Sequence, residues 1–64
     1  MNTMEKIIAG LTLIDQVEPD TDVRAEHDEI WAGYDTEKYS PEQIQKLEDF
    51  GFTPDEGCGW HRFV

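Results

Sequence analysis

The chain has 64 residues, of which fifteen are Asp or Glu and five are Lys or Arg, so its formal net charge is -10. A single cysteine excludes an internal disulfide framework, and five scattered basic residues are too few for the cationic patch that nucleic acids or anionic membranes require. Apolar residues make up 38% of the chain, which is enough for one small core, so we expect a single domain over residues 1–64.

The first predicted element is an amphipathic helix over residues 3–16. Its apolar stripe follows the three- and four-residue spacing of one helix face and consists of Met4, Ile7, Ile8, Leu11 and Ile14. Thr3 is the expected N-cap, Pro19 favours an end near Gln16, and Leu13 falls on the opposite face. This segment is shorter than the roughly 20 apolar residues that span a bilayer, and it lacks the small-residue cleavage site of a signal peptide. Together with the single cysteine, this leads us to expect a cytoplasmic protein.

An acidic loop over residues 17–26 and a short strand over residues 27–33 come next. The strand prediction depends on the apolar run Ile30-Trp31-Ala32, which is rich in β-favouring side chains and ends at Gly33. Residues 33–38 are predicted to form a second loop.

The segment 39–51 has the clearest local signals. Ser40 and Gln43 have the spacing of a capping box, and Pro41 stands at the first helical position. Gly51 is the expected left-handed residue after the helix. The buried stripe is predicted to consist of Ile44, Leu47 and Phe50.

Residues 52–64 are typical of a β-hairpin, with Phe52 opening the first strand, a turn at 56–59 and a second strand from Trp60. Pro54 belongs on an edge strand, because it has no N–H to donate. The resulting order, α-β-α-β-β, predicts an α+β fold in which a small three-stranded, mainly antiparallel sheet packs against two helices.

Three side chains are candidate metal ligands: His27, Cys58 and His61. Cys58 and His61 have the spacing of half a zinc site, whereas structural zinc normally takes four ligands, so surface histidines and a free thiol are the simpler interpretation. The chain also lacks a phosphate-binding glycine loop and an EF-hand pattern, and Cys58 has no evident oxyanion hole. We therefore expect no cofactor and no enzymatic activity.

The acidic side chains are the remaining functional signal, because a charge of -10 exceeds the magnitude of about 2–8 that keeps a small domain soluble. Fixed carboxylates can mimic the phosphates of nucleic acid. The sequence thus predicts a protein that occludes a basic surface of a partner protein, such as a nucleic-acid-binding groove. The expected contact residues are Asp15, Glu18, Asp20, Asp22, Glu26, Asp28, Glu29, Asp35 and Glu37. Trp31, Tyr34 or Trp60 would be the aromatic anchors if exposed.

About half of the chain resembles small acidic proteins of tailed bacteriophages and prophages. The similar motifs are S-P-E-x-I-x-x-L-E at 40–48, Gly51-Phe52, Asp55-Glu56, the ending Trp60-x-x-Phe63-Val64, and His27-Asp28-Glu29-Ile30-Trp31. These are capping, packing and hairpin residues, so they carry over no catalytic residue. The resemblance implies a phage context, in which many short acidic proteins bind and inhibit host factors.

Two other functions also fit the sequence. One is a structural or accessory domain, monomeric or homodimeric, whose acidity serves only solubility. An exposed apolar patch that includes Leu13 and Trp31 would favour it. The other is a metal-binding module at His27, Cys58 and His61, which a chelator would destabilise.

Overall fold

The computed structural model describes residues 1–55 and 59–63 as two helices and a four-stranded antiparallel sheet. The elements are α1 (Thr3–Val17), β1 (Val23–Glu26), β2 (Glu29–Ala32), α2 (Pro41–Asp49), β3 (Thr53–Asp55) and β4 (Gly59–Phe63), with a 3₁₀ helix at Thr36–Lys38. The strand order is β1-β2-β4-β3, so β1 and β3 are the edges. The α+β class is confirmed, but the sheet has four strands and not the predicted three.

α1 is capped by Asn2 and not by Thr3. The Asn2 Oδ1 accepts a hydrogen bond from the Glu5 N–H at 2.8 Å, and the Glu5 Oε1 accepts one from the Asn2 N–H at 3.0 Å. This reciprocal pair is a capping box, and it satisfies two amides that the first turn would otherwise leave without partners. Asn is at least as good a cap as Thr, and Glu5 stands at the correct spacing only from Asn2.

The face of α1 that packs on the core is rotated from the predicted stripe. Gly10 and Ile14 are buried, whereas Met4 and Ile8 are 70% and 57% exposed. Leu13, predicted to lie on the opposite face, packs against the core. Gly10 permits this packing, because the Phe52 ring lies so close to the helix that a Cβ at Gly10 would overlap it.

β1 and β2 form a hairpin where a loop and a longer strand were predicted. The pairing runs from Val23 opposite Ala32 to Glu26 opposite Glu29, which leaves two loop residues between the strands. One of these, His27, has a φ of 53° in the left-handed region. β1 was not predicted because its loop lacks the Asn-Gly or Asp-Gly pair that usually marks such a turn.

α2 and the β3–β4 pair agree with the predictions. The Ser40 Oγ accepts from the Gln43 N–H at 3.2 Å, and the Gln43 Oε1 accepts from the Ser40 N–H at 2.8 Å. Gly51 follows the helix with a φ of 90°. β3 pairs antiparallel with β4 and places Pro54 on an edge strand, while residues 56–58 of the predicted turn lie outside the described residues.

One core lies between the helices and one face of the sheet. Its buried members are Ile14, Ala32, Tyr39, Leu47, Phe52 and Trp60. The Trp60 ring packs edge-on against Tyr39 at a centroid distance of 5.3 Å. Successive strand residues point to opposite faces, so burial of Ala32 and Trp60 places their neighbours Trp31 and His61 on the other side of the sheet.

Candidate protein-binding surface

The predicted contact carboxylates lie mainly around the β1–β2 hairpin. Two of them immediately precede β1, one lies in the hairpin loop, and two follow β2. The exposed members are Asp15, Asp20, Asp22, Glu26, Asp28, Asp35 and Glu37. Glu29 is partly exposed, with 30% of its side chain accessible. The hairpin and its flanking loops therefore present a strongly anionic surface.

Within the described residues, none of these carboxylates forms an ion pair with a Lys or Arg side chain. Among residues 1–55 and 59–63 the structure has one ion pair, in which the His61 Nδ1 lies 3.5 Å from the Glu29 Oε2, and it is ionic only when His61 is protonated. Arg62 donates instead to the backbone carbonyls of Phe50 and Phe63. The electrostatic field of the acidic side chains therefore remains available to a partner.

Glu18 is a predicted contact residue that the structure removes from the surface. It is 7% exposed and follows directly after α1. Its Oε1 accepts hydrogen bonds from the N–H groups of Tyr34 and Asp35 at 3.0 and 2.9 Å, and its Oε2 accepts from the Tyr39 hydroxyl at 2.7 Å. The Glu18 carboxylate thus ties the loop after β2 to the end of α1 and is not free to bind a partner.

The contact with Glu18 also affects the acidity of the Tyr39 hydroxyl. Burial, and then the hydrogen bond to the Glu18 carboxylate, raise the pKa of Tyr39 well above its ordinary value. The phenol therefore stays protonated and donates its hydrogen bond to Glu18 over a wide range of pH.

The predicted aromatic anchors lie in different places, and Trp60 is not available as one because it is fully buried in the core. Tyr34 is 60% exposed in the loop after β2. Trp31 lies on the sheet face opposite the helices, stacked on His61 with ring centroids 4.7 Å apart and planes 21° apart. The Phe63 ring lies next to His61, with ring centroids 6.2 Å apart, and is 64% exposed. We call this face, with Trp31, His61 and Phe63, the outer face of the sheet.

The outer face was not predicted as a unit. Alternation along β4 indicates that His61 and Phe63 share a face, and this signal was present in the sequence. Their proximity to Trp31 depends on the register between β2 and β4, in which Trp31 is opposite His61. That register joins residues far apart in the chain, and no local pattern specifies it.

The metal hypothesis gains no support from the described residues, which contain no group of three His, Cys, Asp or Glu side chains placed to hold an ion. His27 lies in the β1–β2 loop, and His61 lies on the outer face beside Glu29. Cys58, the third candidate ligand, lies outside the described residues.

Comparison of the chain with protein-family models, with curated proteins and with solved structures found no match. None of the helices in the described ranges has the length and apolar composition needed to cross a membrane.

Proposed function

We propose that this protein is a non-enzymatic acidic binding protein that occludes a basic site on a partner protein. The observation that carries the proposal is uncompensated charge. A net charge of -10 is held on a body of 25 × 23 × 19 Å, and within the described ranges no Lys or Arg pairs with a carboxylate. Such self-repulsion destabilises the compact state, and a cationic partner relieves it.

A nucleic-acid-binding protein is the partner class that fits best. Its groove carries Lys and Arg side chains arranged for a polyanion with one charge per about 1.7 Å of duplex. An array of fixed carboxylates attracts the same cations, and long-range attraction accelerates the encounter. We place this action in the cytoplasm of a bacterial host, in the phage or prophage setting that the resemblance of residues 40–48 suggests.

The test is capture from a bacterial lysate on the immobilised protein at low salt, followed by elution with a salt gradient and identification by mass spectrometry. We expect a basic protein that elutes sharply at moderate salt, because the contact is made by partly screened charges. Retention that does not depend on salt would contradict electrostatic recognition.

A matched pair of variants separates a specific surface from bulk charge. Asp22→Lys with Asp28→Lys reverses two carboxylates at the hairpin, and Glu48→Lys with Asp49→Lys makes the same charge change on exposed positions at the end of α2. Asp20 is left unchanged, because its φ of 65° would add strain to any lysine placed there. We expect the hairpin variant to elute at much lower salt than the α2 variant. If both variants elute at equally reduced salt, or if neither changes its elution, the partner responds to the total charge and not to a specific surface.

An accessory homodimer is the second candidate function, favoured by Met4 and Ile8 exposed one turn apart on α1. The patch expected from the sequence does not form, because Leu13 packs against the core and Trp31 lies on the outer face. A dimer would appear in light scattering and would dissociate in the variant Met4→Lys with Ile8→Lys. A monomer across the accessible concentration range would eliminate this candidate.

A further inference from the structure

We propose that the outer face of the sheet binds an arginine side chain of the basic partner, at a subsite formed by Glu26, Glu29 and Phe63. This inference rests on the proposed function. It adds the location of the contact and the chemical identity of the cation.

The strand register places the three side chains in one row. Glu26 of β1 is opposite Glu29 of β2, and Glu29 is opposite Phe63 of β4. Residues directly opposite in antiparallel strands project from the same face, with Cβ atoms about 4.5–5.5 Å apart. Glu29 is therefore the middle member of the row, with the Glu26 carboxylate on one side and, on the other, an aromatic ring that is 64% exposed.

The two carboxylates of the row repel each other, and a cation bound between them would remove this repulsion. Like charges directly opposite each other on neighbouring strands are destabilising, and Glu26 and Glu29 are such a pair. Arg24 projects from the same face in the neighbouring row, opposite Trp31, and within the described residues it forms no ion pair with either glutamate. His61 approaches only Glu29, at 3.5 Å. The position between the two carboxylates is thus left for a positive group from outside.

Arginine fits this position better than lysine. Its planar guanidinium stacks on an aromatic face and forks to carboxylate oxygens, whereas the lysine ammonium is a compact, strongly hydrated charge. The row offers both partners at once, since the Phe63 ring supplies the face and the two glutamates supply the oxygens. The net charge of -10 also attracts a cationic side chain such as arginine to this face.

The experiment compares a short arginine–glycine peptide with the lysine–glycine peptide of the same length, titrated into the protein by calorimetry at low salt. We expect the arginine peptide to bind roughly two- to fivefold more tightly, the range that a cation–π contact at an exposed site provides. Because both peptides carry the same charge, the ratio of their dissociation constants isolates the contribution of the guanidinium.

Two matched pairs of variants locate the subsite. Phe63→Leu removes the ring of the row, and Tyr34→Leu removes an equally exposed ring in the loop after β2. Glu29→Gln removes a carboxylate of the row, and Glu48→Gln removes one from α2. The preference for arginine should vanish in Phe63→Leu and decrease in Glu29→Gln, while both control variants keep it.

Equal affinity for the two peptides in the unmodified protein, or a preference that survives Phe63→Leu, would overturn the arginine subsite. If both peptides bind equally and their binding weakens with salt, electrostatic capture stands and only the subsite is lost. If neither peptide binds at low salt, both the subsite and electrostatic capture fail.

Discussion

The Glu18 carboxylate shows how a charge comes to be buried in a molecule that already carries too many of the same sign. Desolvating an ionised carboxylate is strongly unfavourable unless hydrogen bonds replace its water. Glu18 accepts from two backbone N–H groups and from the Tyr39 hydroxyl, and hydrogen bonds to charged groups are stronger than neutral ones. Among the described acidic residues, Glu18 is therefore the buried one, whereas most of the others are exposed to solvent.

Replacing Glu18 with Gln tests this division. The amide keeps one acceptor but turns an N–H₂ group toward groups that already donate, so we expect a loss of about 1–3 kcal/mol in the free energy of unfolding. Urea denaturation measures the loss. The matched change Asp15→Asn, on an exposed side chain, should stay within about 0.5 kcal/mol. Similar losses in both variants would mean that Glu18 has no structural role.

Tyr39 gives the fold a specific sensitivity to alkaline pH. Because its pKa is raised on folding, the stabilisation is complete below the ordinary value of 10.0 and declines as the pH rises beyond it. Thermal denaturation at a series of pH values should show a steeper alkaline decline in the unmodified protein than in Tyr39→Phe, which cannot ionise. Parallel declines would show that Tyr39 does not carry this dependence.

At the scale of elements, local signals predicted the helices, β2 and the β3–β4 pair but missed β1. The capping box of Ser40 and the left-handed Gly51 each depend only on residues close by in the sequence. The bounds of α2 could therefore be predicted closely. β1 could not, because its hairpin turns at His27 and Asp28 without a glycine. Strand pairing also brings Trp31 to His61, which no local pattern encodes.

The candidate surface was predictable to a similar extent. Composition alone indicated that most carboxylates must be exposed, since a chain of this size has little interior. The burial of Glu18 was not predictable, because it requires the loop that carries Tyr34 to fold back against the end of α1. Only the assembled sheet places Glu26, Glu29 and Phe63 in one row.

The packing of α1 depends on Gly10 at its contact with Phe52. Alanine normally favours a helix over glycine by about 1 kcal/mol, but a Cβ here would overlap the Phe52 ring. We expect Gly10→Ala to lower the free energy of unfolding by roughly 1–3 kcal/mol, the usual range for overpacking. Thr12→Ala, at an exposed position of the same helix, is the control and should be neutral or slightly stabilising. A Gly10→Ala protein as stable as this control would contradict the close packing.

The whole molecule is small compared with the reach of its own field. At low ionic strength the Debye length is about 30 Å, longer than its largest extent of 25 Å, so every carboxylate interacts with every other. At physiological salt the length falls to about 8 Å, and only neighbouring charges still interact. A partner that approaches at physiological salt therefore senses the local pattern of the β1–β2 hairpin and the outer face.

The most direct test of occlusion is a competition for the basic protein obtained by capture. That protein is first loaded with a fluorescent DNA or RNA ligand, and the acidic protein is then added while anisotropy is recorded at several salt concentrations. The proposed function predicts that the nucleic acid is released as the acidic protein is added, and that Asp22→Lys with Asp28→Lys releases little. Nucleic acid that stays bound at saturating acidic protein would contradict occlusion of the basic site.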